Sequence, residues 1–151
     1  MIRLPIAEVF PFAYNFLMDQ DVRWKQRFAN YRKALENLEK ASIQDSYNEL
    51  ERQGFIKDFE LCHELAWKTL QDLLRERGYD DIAGPKPVMR QAFFDGLISD
   101  GELWGALHEA RNLAAHTYDL ERAILLEKEI KARFLAAFRQ LRTRLEGLGE
   151  P

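Results

Sequence analysis

The chain has one cysteine, Cys62, in 151 residues. It can form no intramolecular disulfide, and no Cys/His spacing suited to zinc accompanies it. Packing must therefore hold the fold together, and the usage fits a reducing cytoplasm. Long apolar runs are absent too. None approaches the roughly 18 residues that cross a bilayer, so no membrane association is expected. The apolar, aromatic stretch from Met1 to Leu17 is interrupted by Pro5, Glu8 and Pro11 and lacks a small-residue cleavage site, which argues against a signal peptide. Its paired prolines make it a poor helix. It reads as an irregular extension, residues 1–17, ahead of one domain, residues 18–151; Met18 serves equally well as a start. Charge of one sign is also scarce. A net charge of −3 excludes a protein that coats nucleic acid through bulk electrostatics.

Sheet signals are missing as well, because no Val- or Ile-rich alternating runs are present for a hairpin turn to join. Helical spacing runs through the chain instead. A first helix is predicted from Asp19 or Asp21, with Trp24, Phe28, Tyr31, Leu35 and Leu38 at intervals of three and four. The polar loop Ser42–Asn48 follows. A second stripe, Phe55, Phe59, Cys62, Ala66, Thr69 and Leu73, stops at Gly78 after Arg75 and Arg77. Residues 79–87 form a turn-rich connection, and a short third helix runs from about Pro87 to Phe94 and ends at Gly96. Ser99 or Asp100 caps a fourth helix, and the last extends from about Asp119 to Leu145. Four long helices and a short one, joined mostly by short loops, predict an all-α fold: an antiparallel up-and-down four-helix bundle with one additional short helix. The length suffices for one such core.

Chemistry concentrates at the end of the fourth helix, in Arg111-Asn112-Leu113-Ala114-Ala115-His116-Thr117-Tyr118. At 100° per residue, Leu103, Leu107, Ala110 and Ala114 make the core stripe. Trp104, His108, Arg111, Ala115 and Tyr118 share a neighbouring face, and Asn112, His116 and Asp119 a third. Arg offers a planar fork for phosphate, Asn a neutral donor and acceptor, and His a proton carrier near neutral pH. The same residues also fit a plainer description: an exposed Arg, a His on the helix dipole and a half-buried Tyr. The face from Trp104 to Tyr118, left over by the core stripe, is expected at a subunit interface.

Other candidates carry less. Trp67 is expected in the core and Lys68 in solvent. Glu60 and Glu64 lie one turn apart, but a di-metal bundle would need a second Glu-x-x-His set on another helix. Glu64 and Lys68 fit an i, i+4 ion pair better. His63 and His108 lack an assembled partner set, so packing or surface roles are expected. No Walker-type phosphate loop occurs, nor the Gly-Ser and paired Asp of a nucleotidyltransferase, so no cofactor or transferase activity is expected here. Between Leu120 and Glu146 seven basic residues face four acidic ones, a mild excess usable for an RNA backbone.

The run Arg111-x4-His116-x-Tyr118 resembles the signature of the HEPN superfamily, in the subgroup of nucleotidyltransferase substrate-binding proteins. Trp24 to Phe28, Phe59 to Lys68, Gly96-Leu97-Ile98 and Arg111 to Asp119 look like that subgroup as well, and together they span about residues 19–145. The resemblance implies a helical bundle that forms a homodimer, bringing two motifs together. It implies as partner a minimal nucleotidyltransferase, one half of a two-gene toxin–antitoxin pair. The toxin half would be a metal-independent ribonuclease, with RNA as substrate. Arg111 and His116 would then be catalytic, with Asn112 helping to position the phosphate. Tyr118 would be the modification site, receiving AMP from the partner. RNA brings its own nucleophile, the 2′-hydroxyl, so such a reaction can proceed without a metal. A second reading stays open: a non-catalytic subunit that docks on the nucleotidyltransferase and presents Tyr118 or another substrate.

Overall fold

Residues 11–115 and 119–149 are described by the computed structural model, with side chains from residue 23 onward, and all of them lie in helices or in links between helices. The elements are α1 (Pro11–Ser42), α2 (Glu49–Glu76), α3 (Pro85–Phe94), α4 (Gly101–Ala114), α5 (Leu120–Glu129) and α6 (Leu135–Gly149). One π-helical turn, Ile130–Phe134, joins α5 to α6. The all-helical expectation holds, with no strand among the described residues.

Helix ends follow local side-chain chemistry. Asn48 opens α2 with a capping box: its Oδ1 accepts from Glu51 N at 2.8 Å, and its own N–H donates to Glu51 Oε1 at 3.0 Å. Asp100 caps α4 by accepting from Leu103 N at 2.9 Å, and Asp119 caps α5 through Glu121 N at 3.1 Å. Gly78 and Gly96, at φ of 100° and 74°, turn the chain out of α2 and α3 in a conformation that side chains resist.

Two boundaries differ from expectation. The first helix begins at Pro11, not at Asp19 or Asp21, so residues 11–17 are helical and not an irregular extension. Proline suits a first helical position, where its missing N–H would have had no partner. Residues 1–10 lie outside the described residues. Likewise α3 begins at Pro85, two residues early, directly after Gly84.

The core gathers around Phe138, which is fully buried. Tyr31 from α1, Phe59 from α2 and Trp104 from α4 surround it, with ring centroids 6.3, 6.0 and 5.7 Å away. Phe59 also stacks on Phe134, within the π turn, at 5.6 Å. The stripes expected on α1 and α2 are all buried. On α4 the expectation needs correction. Trp104, assigned to a leftover face, is only 4% exposed, whereas Leu103 and Ala110 are partly buried. An indole is large enough to reach the core from the edge of the stripe. Trp67, expected in the core, is half-buried under Lys68, whose ammonium lies 5.6 Å from the ring centroid.

Ion pairs clamp the bundle's sides. Arg27 of α1 holds the buried Asp72 of α2 at 2.7 Å. Arg52 of α2 meets Glu127 of α5 at 2.9 Å, and Glu39 of α1 receives Arg139 and Arg142 of α6 at 2.8 and 2.6 Å. The short α3 packs against α2 and α4. Gln71 of α2 accepts from Gly84 N at 3.1 Å, which anchors the start of α3.

Candidate functional site

Asp100 fixes where α4 starts, and Trp104, Leu107 and Ala114 fix which side of it faces the core. Arg111 and Asn112 consequently emerge near its C-terminal end, Arg111 half-buried and Asn112 exposed. Among the described residues Arg111 makes no ion pair. His116, Thr117 and Tyr118 lie outside the described residues. Of the four candidate site residues, the structure thus positions Arg111 and Asn112.

It also assembles a pair that the sequence left apart. His63 on α2 is 1% exposed, and its Nε2 lies 3.3 Å from Nδ1 of His108 on α4. His108 Nε2 in turn lies 3.4 Å from Asn112 Nδ2, one helical turn further on. The expectation that these histidines lack partners is therefore corrected: they partner each other across two helices. The burial of His63, though not its pairing, is legible on α2, where it sits four residues after Phe59 and three before Ala66, both fully buried.

Electrostatics around the pair favour neutral rings. Burial, then the charges of His108 and Arg111, push the His63 pKa down to about 4. Burial, then Lys86 and Arg111, lower that of His108 from its usual 6.5. Glu64 and Lys68 form the expected ion pair at 2.7 Å, and that bond, aided by Arg111, holds the Glu64 carboxyl below its usual range. Burial drives the Cys62 thiol up to about 12, which makes it a packing group and not a nucleophile.

A groove of about 650 Å³ opens between α3 and α4, and His108 and Asn112 line it. Lys86, Arg90 and Phe93 come from α3, and Trp104 from α4. Neither Lys86 nor Arg90 has an ion pair among the described residues, and Glu109 is the one carboxylate on the lining, so two cations and one anion border a partly apolar cleft. Such a surface suits an anion attached to a flat, apolar body. Among the described residues, no three His, Cys, Asp or Glu side chains gather as a metal ion would need. No helix among them is long and apolar enough to cross a membrane.

The chain is similar to known proteins over most of this fold. A Haemophilus influenzae protein named probable ribonuclease HepT is 37% identical over 81 residues, 51% of this chain and 56% of that protein. The match thus spans about half the length of that relative. A solved Haemophilus influenzae structure, described as showing the fold of a substrate-binding domain of a nucleotidyltransferase, superposes with a TM-score of 0.71 at 29% identity. It covers 79% of this chain and 98% of that one. A Thermus thermophilus protein of solved structure matches with a TM-score of 0.64 at 29% identity, over 78% of this chain and 97% of its own. The family model described as nucleotidyltransferase substrate binding protein like matches residues 26–147, which include α2 to α5 and the Arg111 to Tyr118 segment whole. The chain belongs to that family, the nucleotidyltransferase substrate-binding subgroup of the HEPN proteins.

Proposed function

We propose that this chain is the toxin half of a HEPN/minimal-nucleotidyltransferase pair and cleaves RNA without a metal, until its partner neutralises it. The observation that carries this is the setting of Arg111 and Asn112. Both emerge at the end of α4, Asn112 on the lining of a groove bordered by Lys86 and Arg90, and the chain continues directly to His116 and Tyr118. Arg111 stabilises the charge that develops on the attacked phosphate, Asn112 helps position it, and His116 moves a proton on the nucleophile or the leaving oxygen. The name of the Haemophilus influenzae relative supports a ribonuclease, and the family description supports a nucleotidyltransferase partner. In the same reading Tyr118 accepts AMP from that partner, and the chain works as a homodimer.

The groove also favours a second reading. At about 650 Å³ it can hold a ligand without any cleavage, as expected of a non-catalytic subunit that presents substrate to the nucleotidyltransferase. Incubation of the purified chain with short single-stranded RNA, with and without EDTA, decides between the two. Cleavage is expected to survive EDTA and to fall by about 10²–10⁴-fold in Arg111→Ala and in His116→Ala. Cleavage abolished by EDTA, or kept when both residues are replaced, overturns the ribonuclease mechanism. Intact RNA throughout, with no growth arrest on expression, leaves the presenting subunit.

A further inference from the structure

The groove between α3 and α4 has two unlike ends. At one, the Phe93 ring lies against Gly101, where a β-carbon would stand 3.5 Å from Cδ2 of that ring, and Ile98 and Trp104 line the same end. At the other, Lys86 lies near enough to His108 to help hold its pKa down, and Asn112 follows one helical turn on. Arg90 and Glu109 come from the stretches between. The lining thus passes from apolar at Phe93 to polar and cationic at Asn112.

Two residues on this lining have no packing role that explains them. Phe93 is 47% exposed, an aromatic face left to solvent. Gly105 lies inside α4, where glycine is disfavoured, yet nothing within 4 Å would obstruct a β-carbon there. Its φ is not positive either, so the backbone makes no demand for glycine. What glycine leaves is open floor in the middle of the groove.

We propose that the groove is a subsite for one unpaired nucleotide of an RNA strand, with the base over Gly105 against Phe93 and the phosphate at the Lys86 and Asn112 end. This rests on the ribonuclease reading, which the subsite deepens: the phosphate end of the groove is the end of α4 that carries Arg111. Size and charge both fit. A volume of about 650 Å³ lies within the usual range for small-ligand pockets. Two cations and one carboxylate leave one net positive charge, which matches a single phosphodiester. An exposed ring takes the face of any base and leaves the base edges unread. The subsite therefore selects unpaired strand over duplex, and not one base over another.

The probe is a dye-labelled octanucleotide of 2′-O-methyl RNA. It lacks the 2′-hydroxyl nucleophile and stays whole, so anisotropy reads binding whether or not the protein cuts RNA. Gly105→Leu fills the floor with a residue that favours a helix. It is expected to weaken binding by at least about 10-fold, the scale of one stacked base. Should that variant not fold, Phe93→Ser, at an exposed position, is expected to give the same loss. An abasic strand is expected to bind wild type as weakly and to be indifferent to Gly105→Leu. Equal affinity of wild type and the variant for the full strand overturns the subsite. So does an abasic or duplex probe that binds wild type as well as the full single strand. Lys86→Gln is expected to reduce the slope of log affinity against log salt by about 0.7, one phosphate contact on a single strand. An unchanged slope overturns the placement of the phosphate. AMP that competes as tightly as the strand overturns the strand and gives the groove to a free nucleotide. A protein that meets these expectations yet cuts no RNA keeps the subsite and loses the ribonuclease reading. One that cuts RNA with an unchanged KM in Gly105→Leu keeps that reading and loses the subsite.

Discussion

The hydroxyl of Tyr31 on α1 donates a 2.7 Å hydrogen bond to the backbone carbonyl of Phe138 on α6, 107 residues away, and both side chains are fully buried. Burial raises the Tyr31 pKa well above its usual value, so the phenol stays a donor. This bond joins the first helix to the last, beside the ring cluster that also includes Trp104 of α4. Tyr31→Phe keeps the ring and loses only the bond. It is expected to lower the unfolding free energy by about 1 kcal/mol in a urea titration. An unchanged midpoint would show that packing alone sets the spacing of these helices.

Stability should also depend on pH through His63. The unfolded chain takes up a proton on this residue near pH 6.5, whereas the folded chain resists until about pH 4. Between those values the unfolded state binds more protons, so stability falls as pH drops. The contribution is fully present above about pH 6.5, and on the order of 3 kcal/mol of it is lost by about pH 4. Urea titrations across that window are expected to show a steeper decline for wild type than for His63→Phe. Carboxylates such as Glu39, lowered chiefly by its bond to Arg142, act at lower pH and in both proteins. Parallel curves would refute the assignment.

How much of this was legible beforehand differs from residue to residue. Phe28, Tyr31, Leu35 and Leu38 announce a buried face because helical spacing is local, and Asp100 and Asp119 announce helix starts because capping is local. Gly78 and Gly96 mark helix ends for the same reason. Trp104 misled, since a wheel ranks positions by angle and ignores how far an indole reaches. The pairing of His63 with His108 was not legible at all. Forty-five residues separate them, and only the packing of α2 against α4 brings the rings together. Arg111 and Asn112 stand out by motif, and the groove that Asn112 shares with Lys86 and Arg90 came only with the placement of α3.

A homodimer is expected, with the end of α4 at its interface; Trp104 is buried within the chain, but a leucine surface adjoins that helix end. Leu113, Leu120 and Leu125 are 55%, 58% and 62% exposed, and Leu113 and Leu125 line a second groove of about 390 Å³ between α4 and α5. Exposed leucines clustered this way mark a protein contact surface. Sedimentation is expected to show a dimer at micromolar concentration for wild type and a monomer for Leu113→Asp combined with Leu125→Asp. A monomeric wild type, or a dimer untouched by the double change, removes this surface from consideration.

Tyr118 is the expected acceptor of AMP, and Tyr118→Phe tests it without altering the ring. A phosphodiester tethered near Arg111 would compete with an RNA phosphate at a local concentration that free nucleotide cannot match. Incubation with the cognate nucleotidyltransferase, ATP and Mg²⁺ is expected to add one or more AMP units to the intact mass of wild type and none to the variant. Equal gains, or no gain in either, would leave neutralisation to complex formation.

The π turn at Ile130–Phe134 holds one residue more than an α-helical turn, as the bond from Leu135 N to Ile130 O records. One extra residue rotates everything after it by about 100° about the helix axis. The buried stripe nevertheless runs on from Leu126 and Ile130 through Phe134 to Phe138, Leu141 and Leu145. Phe138, four residues after the buried Phe134, is the first ring beyond that turn to meet Tyr31, Phe59 and Trp104. The segment is constrained in length more than in composition: substitutions within it change packing locally, whereas loss of a single residue would turn Phe138 away from its three partners while leaving the helix itself unbroken.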